Sequence, residues 1–330
     1  MIFLYNYADF NENYLKTQTE RKKVRSAANT VGFSFVAAEA AMTILSIVLS
    51  LAVRFLFKGS SDILKDSILL KYLNTLLLLV GFVLIPAVTC LIAGTKPRKV
   101  ISLRRVDPLL FLGAVLLAFG FNSVCNVVSS YLSALFSFLK SDSTTLSEIT
   151  EVNGGVLGFI LSVINVALVP AFFEEFAFRG IALGLFRRST SDGAAIILSA
   201  LMFGMIHGKI EQIPFAFCMG VVFAYITVIT DSLFPAMAAH FLNNFSSLVL
   251  GSVSDGAGPA TQTIIYAIDF IIVSALAVIG FVILADKMKE KRNLSGDFAV
   301  PVSTHIKWGV LSPGIIVFLV FIIIRMILGA

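Results

Sequence analysis

Long apolar runs separated by short polar stretches dominate this chain and leave it few architectures. Runs at about 31–57, 68–93, 108–139, 154–188, 193–207, 212–230, 234–250, 262–285 and 309–328 carry few charges. The long ones meet the roughly 20-residue length at which a helix crosses a bilayer, with tilt where they exceed it. The sequence therefore predicts an all-α fold, a polytopic integral membrane bundle of about eight or nine transmembrane helices, the count turning on the short 193–207 run. Composition agrees: 58% of the 330 residues are hydrophobic and 14% are charged, a balance foreign to soluble domains.

Lysines and arginines then set an orientation. Lys96, Arg98, Lys99, Arg104 and Arg105 fill the second loop, Arg187 and Arg188 flank the fourth, and Lys287, Lys289, Lys291, Arg292 and Lys307 fill the eighth. The opposite loops hold only Lys58, Lys65, Lys71, Lys140 and Lys209, and 140–153 adds Asp142, Glu148 and Glu151. This alternation predicts a cytosolic N-terminus and, for nine helices, an external C-terminus. Residues 1–30, with Lys16, Arg21, Lys22, Lys23 and Arg25, read as a cytosolic polar segment and not a cleavable signal peptide. N-terminal transmembrane helices over 31–153 follow, then a core over 154–250, then C-terminal helices with a basic cytosolic loop over 251–330, the stretch 286–307 being a polar connector. The net charge of +5 reports orientation and not a nucleic-acid partner. Cys90, Cys125 and Cys218 show no paired spacing, so neither a disulfide framework nor a thiolate zinc site is expected.

The chemistry concentrates in the core. Glu174 and Glu175 are adjacent inside the apolar run Pro170–Gly180, and a carboxylate at membrane depth reads as functional with a partner to be named. Three patterns follow in order along the helices of the core: Glu174-Glu175-x-x-x-Arg179, Phe203-x-x-x-His207 and His240-x-x-x-Asn244. Residues four apart share a helix face, so Glu175 reaches Arg179 while Glu174 points about 100° away. His240 and Asn244 likewise share a face. Glu174 and His207 are nearly equidistant from the turn Ser189–Asp192, which places them level in an antiparallel hairpin, and His240 lies a short way from the next turn, Thr230–Pro235. The three are expected to meet in the cytosolic half of the bilayer. Pro170 is expected to kink its helix just before the glutamates.

Taken in order, these patterns resemble the CAAX-protease and bacteriocin-processing (CPBP) family, which includes type II CAAX prenyl endopeptidases. The resemblance covers 154–250. It implies a glutamate-dependent intramembrane endopeptidase, with Glu174, His207, His240 and Asn244 as catalytic residues and a membrane-associated or prenylated protein or peptide as substrate. Glu174 would be the base that activates water, His207 would help hold that water, and His240 and Asn244 would stabilise the oxyanion. Glu175 and Arg179 would shape the site as a pair, and Phe203 would pack beneath it. Glu174, His207 and His240 could together hold one divalent metal such as zinc, making a metalloprotease, although the sequence has no HExxH. The compact chain without an organelle-retention tail points to a bacterial cell membrane.

Competing readings explain less. A structural ion pair with Arg179 accounts for one glutamate only. A proton-coupled transporter predicts inverted repeats and paired broken helices, which this sequence lacks. The intact motifs argue against a catalytically silent scaffold or bacteriocin-immunity protein, while immunity by an enzymatic route is compatible with proteolysis. Glu39, Arg54, Asn122, Asn126, Asn165 and Asp269 read as helix–helix contacts without mutual spacing, with mid-helix Glu39 the one to watch, and His305 reads as solvated.

Overall fold

A computed structural model describes residues 2–56, 81, 84–135, 155–287 and 298–328. Apart from one isolated bridge, between Leu103 and Ser232, regular structure among the described residues is helical. Helix α1 is Ile2–Leu56, α2 is Pro108–Leu135, and α3 runs through Gly155–Ser162, Val163–Leu168, Val169–Glu175, Phe176–Ala182 and Leu183–Arg187 without interruption. Then come α4 (Asp192–Ile206), α5 (Ile213–Thr230), α6 (Phe234–Ser254), α7 (Pro259–Lys287), α8 (Val302–Val310) and α9 (Pro313–Leu328).

Five of these helices are long and apolar enough to cross a membrane, or six if α8 and α9, bent by 61° at their junction, form one span. The expected eight or nine is not reached among the described residues. Helix α4 is too short to qualify, and α6, which carries His240, Asn243, Asn244 and several serines, is too polar. Much of the expected 68–93 helix lies outside the described residues, as do Lys58, Lys65, Lys71, Lys140, Asp142, Glu148, Glu151, Lys289, Lys291 and Arg292.

Residues 2–30 form the first part of α1, continuous with its apolar half. One expectation for a polar segment is corrected. His305 is not solvated but fully buried, because α8 folds over the α3–α4 turn. There the Ser191 backbone N–H donates to His305 Nδ1 at 3.2 Å, and Glu20 of α1 lies 3.6 Å from His305 Nε2. The intramembrane polar residues mostly find partners: Asn126 donates to Asn122 within α2, and Glu39 pairs with Arg325. The Arg54 side chain lies outside the described residues. Cys125 of α2 and Cys218 of α5, unrelated in spacing, are both free thiols.

Small residues let the helices close. A Cβ on Gly120 would sit 2.4 Å from Ala277, and one on Gly280 only 2.3 Å from the Leu117 backbone, so α2 and α7 touch backbone to backbone. Gly32 and Gly314 do the same where α1 crosses α9. Two apolar clusters result. Phe35, Phe178, Phe203 and Phe318 belong to the one among α1, α3, α4 and α9. Met219, Phe223 and Ala239 belong to the other, among α2, α5 and α6. Large apolar side chains such as Ile271, Val278 and Phe281 cover the outside of α7.

The turns at one end are tied together. Arg187 binds Asp192 at 2.8 Å and Asp231 at 3.2 Å, joining the α3–α4 turn to the α5–α6 turn. Arg104 adds a second contact to Asp231, at 3.0 Å, and the Leu233 backbone N–H donates to Ser102 O. Gly120→Val is expected to push α7 off α2 and to destabilise the bundle by about 1–3 kcal/mol. Thermal unfolding in detergent checks this, and an unchanged midpoint contradicts the close crossing.

Candidate functional site

The polar groups of the core gather at the seam between the two apolar clusters. Pro170 directly follows a local departure from α-helix. It has no N–H to give the Val166 carbonyl four residues back, and the preceding Val163–Leu168 stretch is a π-helix. Asn244 of α6 donates its side-chain amide to Val166 O at 3.0 Å. The proline expected to kink the helix thus also sits where a carbonyl can anchor a candidate site residue. A second π segment, Phe176–Ala182, follows the glutamates directly, and such segments are frequent at functional sites.

Between the two π segments, Glu174 and Glu175 part company as their neighbouring positions require. Glu175 is fully buried, whereas Glu174 is half-buried. Arg179 Nη1 donates to Glu175 Oε1 at 2.8 Å, one helical turn on. His240 Nδ1 lies 2.8 Å from the same oxygen. A second nitrogen of Arg179 reaches Gly220 O of α5 at 3.4 Å. The guanidinium lies over the Phe203 ring at 4.0 Å and near the Phe223 ring at 5.3 Å, close enough for both quadrupoles to attract it.

Phe203 is the hinge of the arrangement. Its ring packs edge-on against His207 at 4.9 Å and against His240 at 6.0 Å, and Phe178 supports it at 5.2 Å. Phe223 stacks on the His240 ring from the α5 side at 5.1 Å. His207 is half-buried, and its Nδ1 lies 2.8 Å from Phe203 O. A carbonyl can only accept, so this contact requires Nδ1–H and leaves Nε2 as an acceptor in the neutral ring. Glu174 acts electrostatically on both His207 and Arg179, and His240 acts on His207. No hydrogen-bond partner holds Glu174 among the described residues.

All seven singled-out residues therefore fall in one region, but their links differ from the sequence expectation. Glu175 serves His240 as well as Arg179, a contact that spacing within one helix cannot reveal. The metal set is not supported: among the described residues no group of three His, Cys, Asp or Glu side chains is placed to hold a metal. Asn243, adjacent to Asn244, donates to Asn244 Oδ1 at 3.2 Å and so orients it. Arg325, a lone arginine in the apolar run Pro313–Leu328 that no motif singles out, carries the same signal that marks the glutamates.

Residues 156–246 match the family model of the Type II CAAX prenyl endopeptidase Rce1-like. The matched stretch carries all seven residues and lies on α3 to α6. No match is found among curated proteins or among solved structures. The core is thus similar to that of a membrane protease family, and the apolar helices make the chain an integral membrane protein.

Arg179→Ala should leave Glu175 buried with less compensation and cost about 3–5 kcal/mol in unfolding free energy. Glu175→Gln combined with Arg179→Gln should cost less than the two single changes summed. A double-mutant cycle on unfolding reads the coupling, and strict additivity contradicts it.

Proposed function

We propose that the chain is a glutamate-dependent intramembrane endopeptidase that hydrolyses a peptide bond of a membrane-associated, CAAX-type or otherwise apolar-anchored protein or peptide. The observation that carries this reading is the division between the two glutamates. Glu175 is bound by Arg179 and His240, whereas Glu174 is half-buried, unbonded among the described residues and electrostatically coupled to His207. One carboxylate is fixed and the other is available for proton transfer.

Hydrolysis then follows from the groups in place. Glu174 takes a proton from a water molecule, which attacks the scissile carbonyl as hydroxide. His207 Nε2 accepts the water's other O–H and orients it. The negative charge moves to the carbonyl oxygen, where preorganised donors lower the barrier. Asn244 spends one amide hydrogen on Val166 O and keeps the other for that oxygen. His240, with Nδ1–H directed at Glu175, presents Nε2–H when its ring is protonated. Glu174 returns its proton to the departing amine as the C–N bond breaks, which balances the reaction without a further reactant.

An apolar recess supports a substrate with a hydrophobic anchor. Val106, Phe111, Phe172, Phe234, Met237 and Phe241 line a cavity of about 530 Å³ between the start of α2 and the two helices that carry the glutamates and His240. The orientation that suits this reading has the N-terminus and the Arg187–Asp231 end in the cytosol, in a bacterial cell membrane.

Glu174→Gln keeps size and hydrogen bonding but removes the base. Cleavage of a quenched farnesylated CAAX peptide in detergent should fall by about 10²–10⁴-fold with the unfolding midpoint unchanged. Retention of most activity in the purified variant sinks the assignment of Glu174.

A further inference from the structure

We infer that Glu39 and Arg325 form a clasp that positions His207, so that a helix pair outside the matched core sets the geometry of the site. The clasp concerns the same reaction, and its kinetic arm rests on the protease reading.

The need for a clasp begins with how α4 ends. The helix starts at a Ser191 N-cap, whose hydroxyl accepts from the Ala194 backbone N–H, and it stops at Ile206. His207 occupies the C-cap, and Gly208 follows at φ 66°, the left-handed conformation that favours glycine. This stop leaves carbonyls of the last turn without helical partners. A membrane offers no water to serve them. Ile206 O is one such group, and it belongs to the peptide unit that joins Ile206 to His207.

Arg325 of α9 supplies the partner. Its Nη2 donates to Ile206 O at 2.9 Å, and its Nη1 donates to Glu39 of α1. The same Nη2 stands 2.8 Å from where a Cβ on Gly208 would lie. The guanidinium is therefore seated against the chain on both sides of His207. A cation at a helix C-terminus also suits the helix dipole. Glu39 offsets the charge of Arg325 within an otherwise apolar setting, and both side chains are largely covered.

The support behind the clasp is rigid. Asn29 Oδ1 accepts from the Gly314 backbone N–H at 2.9 Å, and Gly32 and Gly314 bring α1 and α9 into backbone contact. Phe318 packs on Phe35, which packs on Phe178, which packs on Phe203. His207 is thus held from two directions, its ring by Phe203 and its backbone by Arg325. An ion pair serving only to join α1 to α9 has no need of the Ile206 carbonyl.

Three variants separate positioning from stability: Arg325→Met, Arg325→Lys, and Arg325→Met combined with Glu39→Leu. Arg325→Met should lower kcat on the farnesylated peptide by about 10- to 100-fold with KM within about twofold, and Arg325→Lys should recover part of the loss. The double variant removes the unpaired Glu39 and should restore the unfolding midpoint without restoring kcat. In parallel, hydrogen–deuterium exchange of the backbone over 204–210 should quicken in Arg325→Met while α2 and α5 stay unchanged. Recovery of kcat together with stability in the double variant overturns the clasp, as does unchanged exchange over 204–210. If the unaltered protein cleaves no such peptide, the prenylated-substrate part of the protease reading fails, and the exchange result alone decides the clasp.

Discussion

The arrangement depends on a carboxylate buried where charge is expensive. Glu175 is fully buried, and the groups that hold it, Arg179 and His240, are nearly so. An ionised group in such surroundings survives only with partners, and here one oxygen serves two of them at 2.8 Å each. The cost of misplacing any member fixes three elements at once: α3 through Glu175 and Arg179, α5 through the Gly220 carbonyl, and α6 through His240. The Phe203 ring under the guanidinium adds α4. With Glu175 so committed, Glu174, half-buried and unbonded among the described residues, is the carboxylate to which the proposed chemistry falls.

The backbone departs from regular helix at the places where candidate site residues need anchoring. Pro170 gives Val166 no helical donor at the usual position, and Val166 O receives Asn244. Gly208 allows α4 to stop at His207, and Arg325 receives the carbonyl that this stop exposes. Close glycine crossings at Gly204 and Gly220 bring α4 against α5, within reach of the same guanidinium. Each device is local in sequence, yet each is completed by a residue from a distant helix.

That division explains what could be read from the sequence. The apolar runs gave the fold class, and the four-residue spacing in Glu175–Arg179 gave an ion pair that exists as expected. The three motifs converge because their helices are neighbours in a short hairpin series, which turn positions reveal. The contact between Glu175 and His240 was out of reach, because it depends on the rotation of α6 against α3. His305 was misread because its polar neighbours suggest solvent, while α8 in fact packs it over Ser191. Among the described residues the five or six candidates fall short of the expected count because α4 is too short and α6 too polar to qualify, and because much of the 68–93 run lies outside them. Arg325 was legible and overlooked.

The three histidines of the chain make the central claim, separate duties for the two glutamates, directly measurable. In ¹⁵N-histidine-labelled protein, the side-chain spectrum holds one imidazole each from His207, His240 and His305. Glu175→Gln should abolish the strongly hydrogen-bonded Nδ1 proton of His240 and leave His207 close to its original position. Glu174→Gln should do the reverse, shifting His207 and sparing the His240 Nδ1 proton. Loss of that proton in Glu174→Gln, or its persistence in Glu175→Gln, would contradict the account.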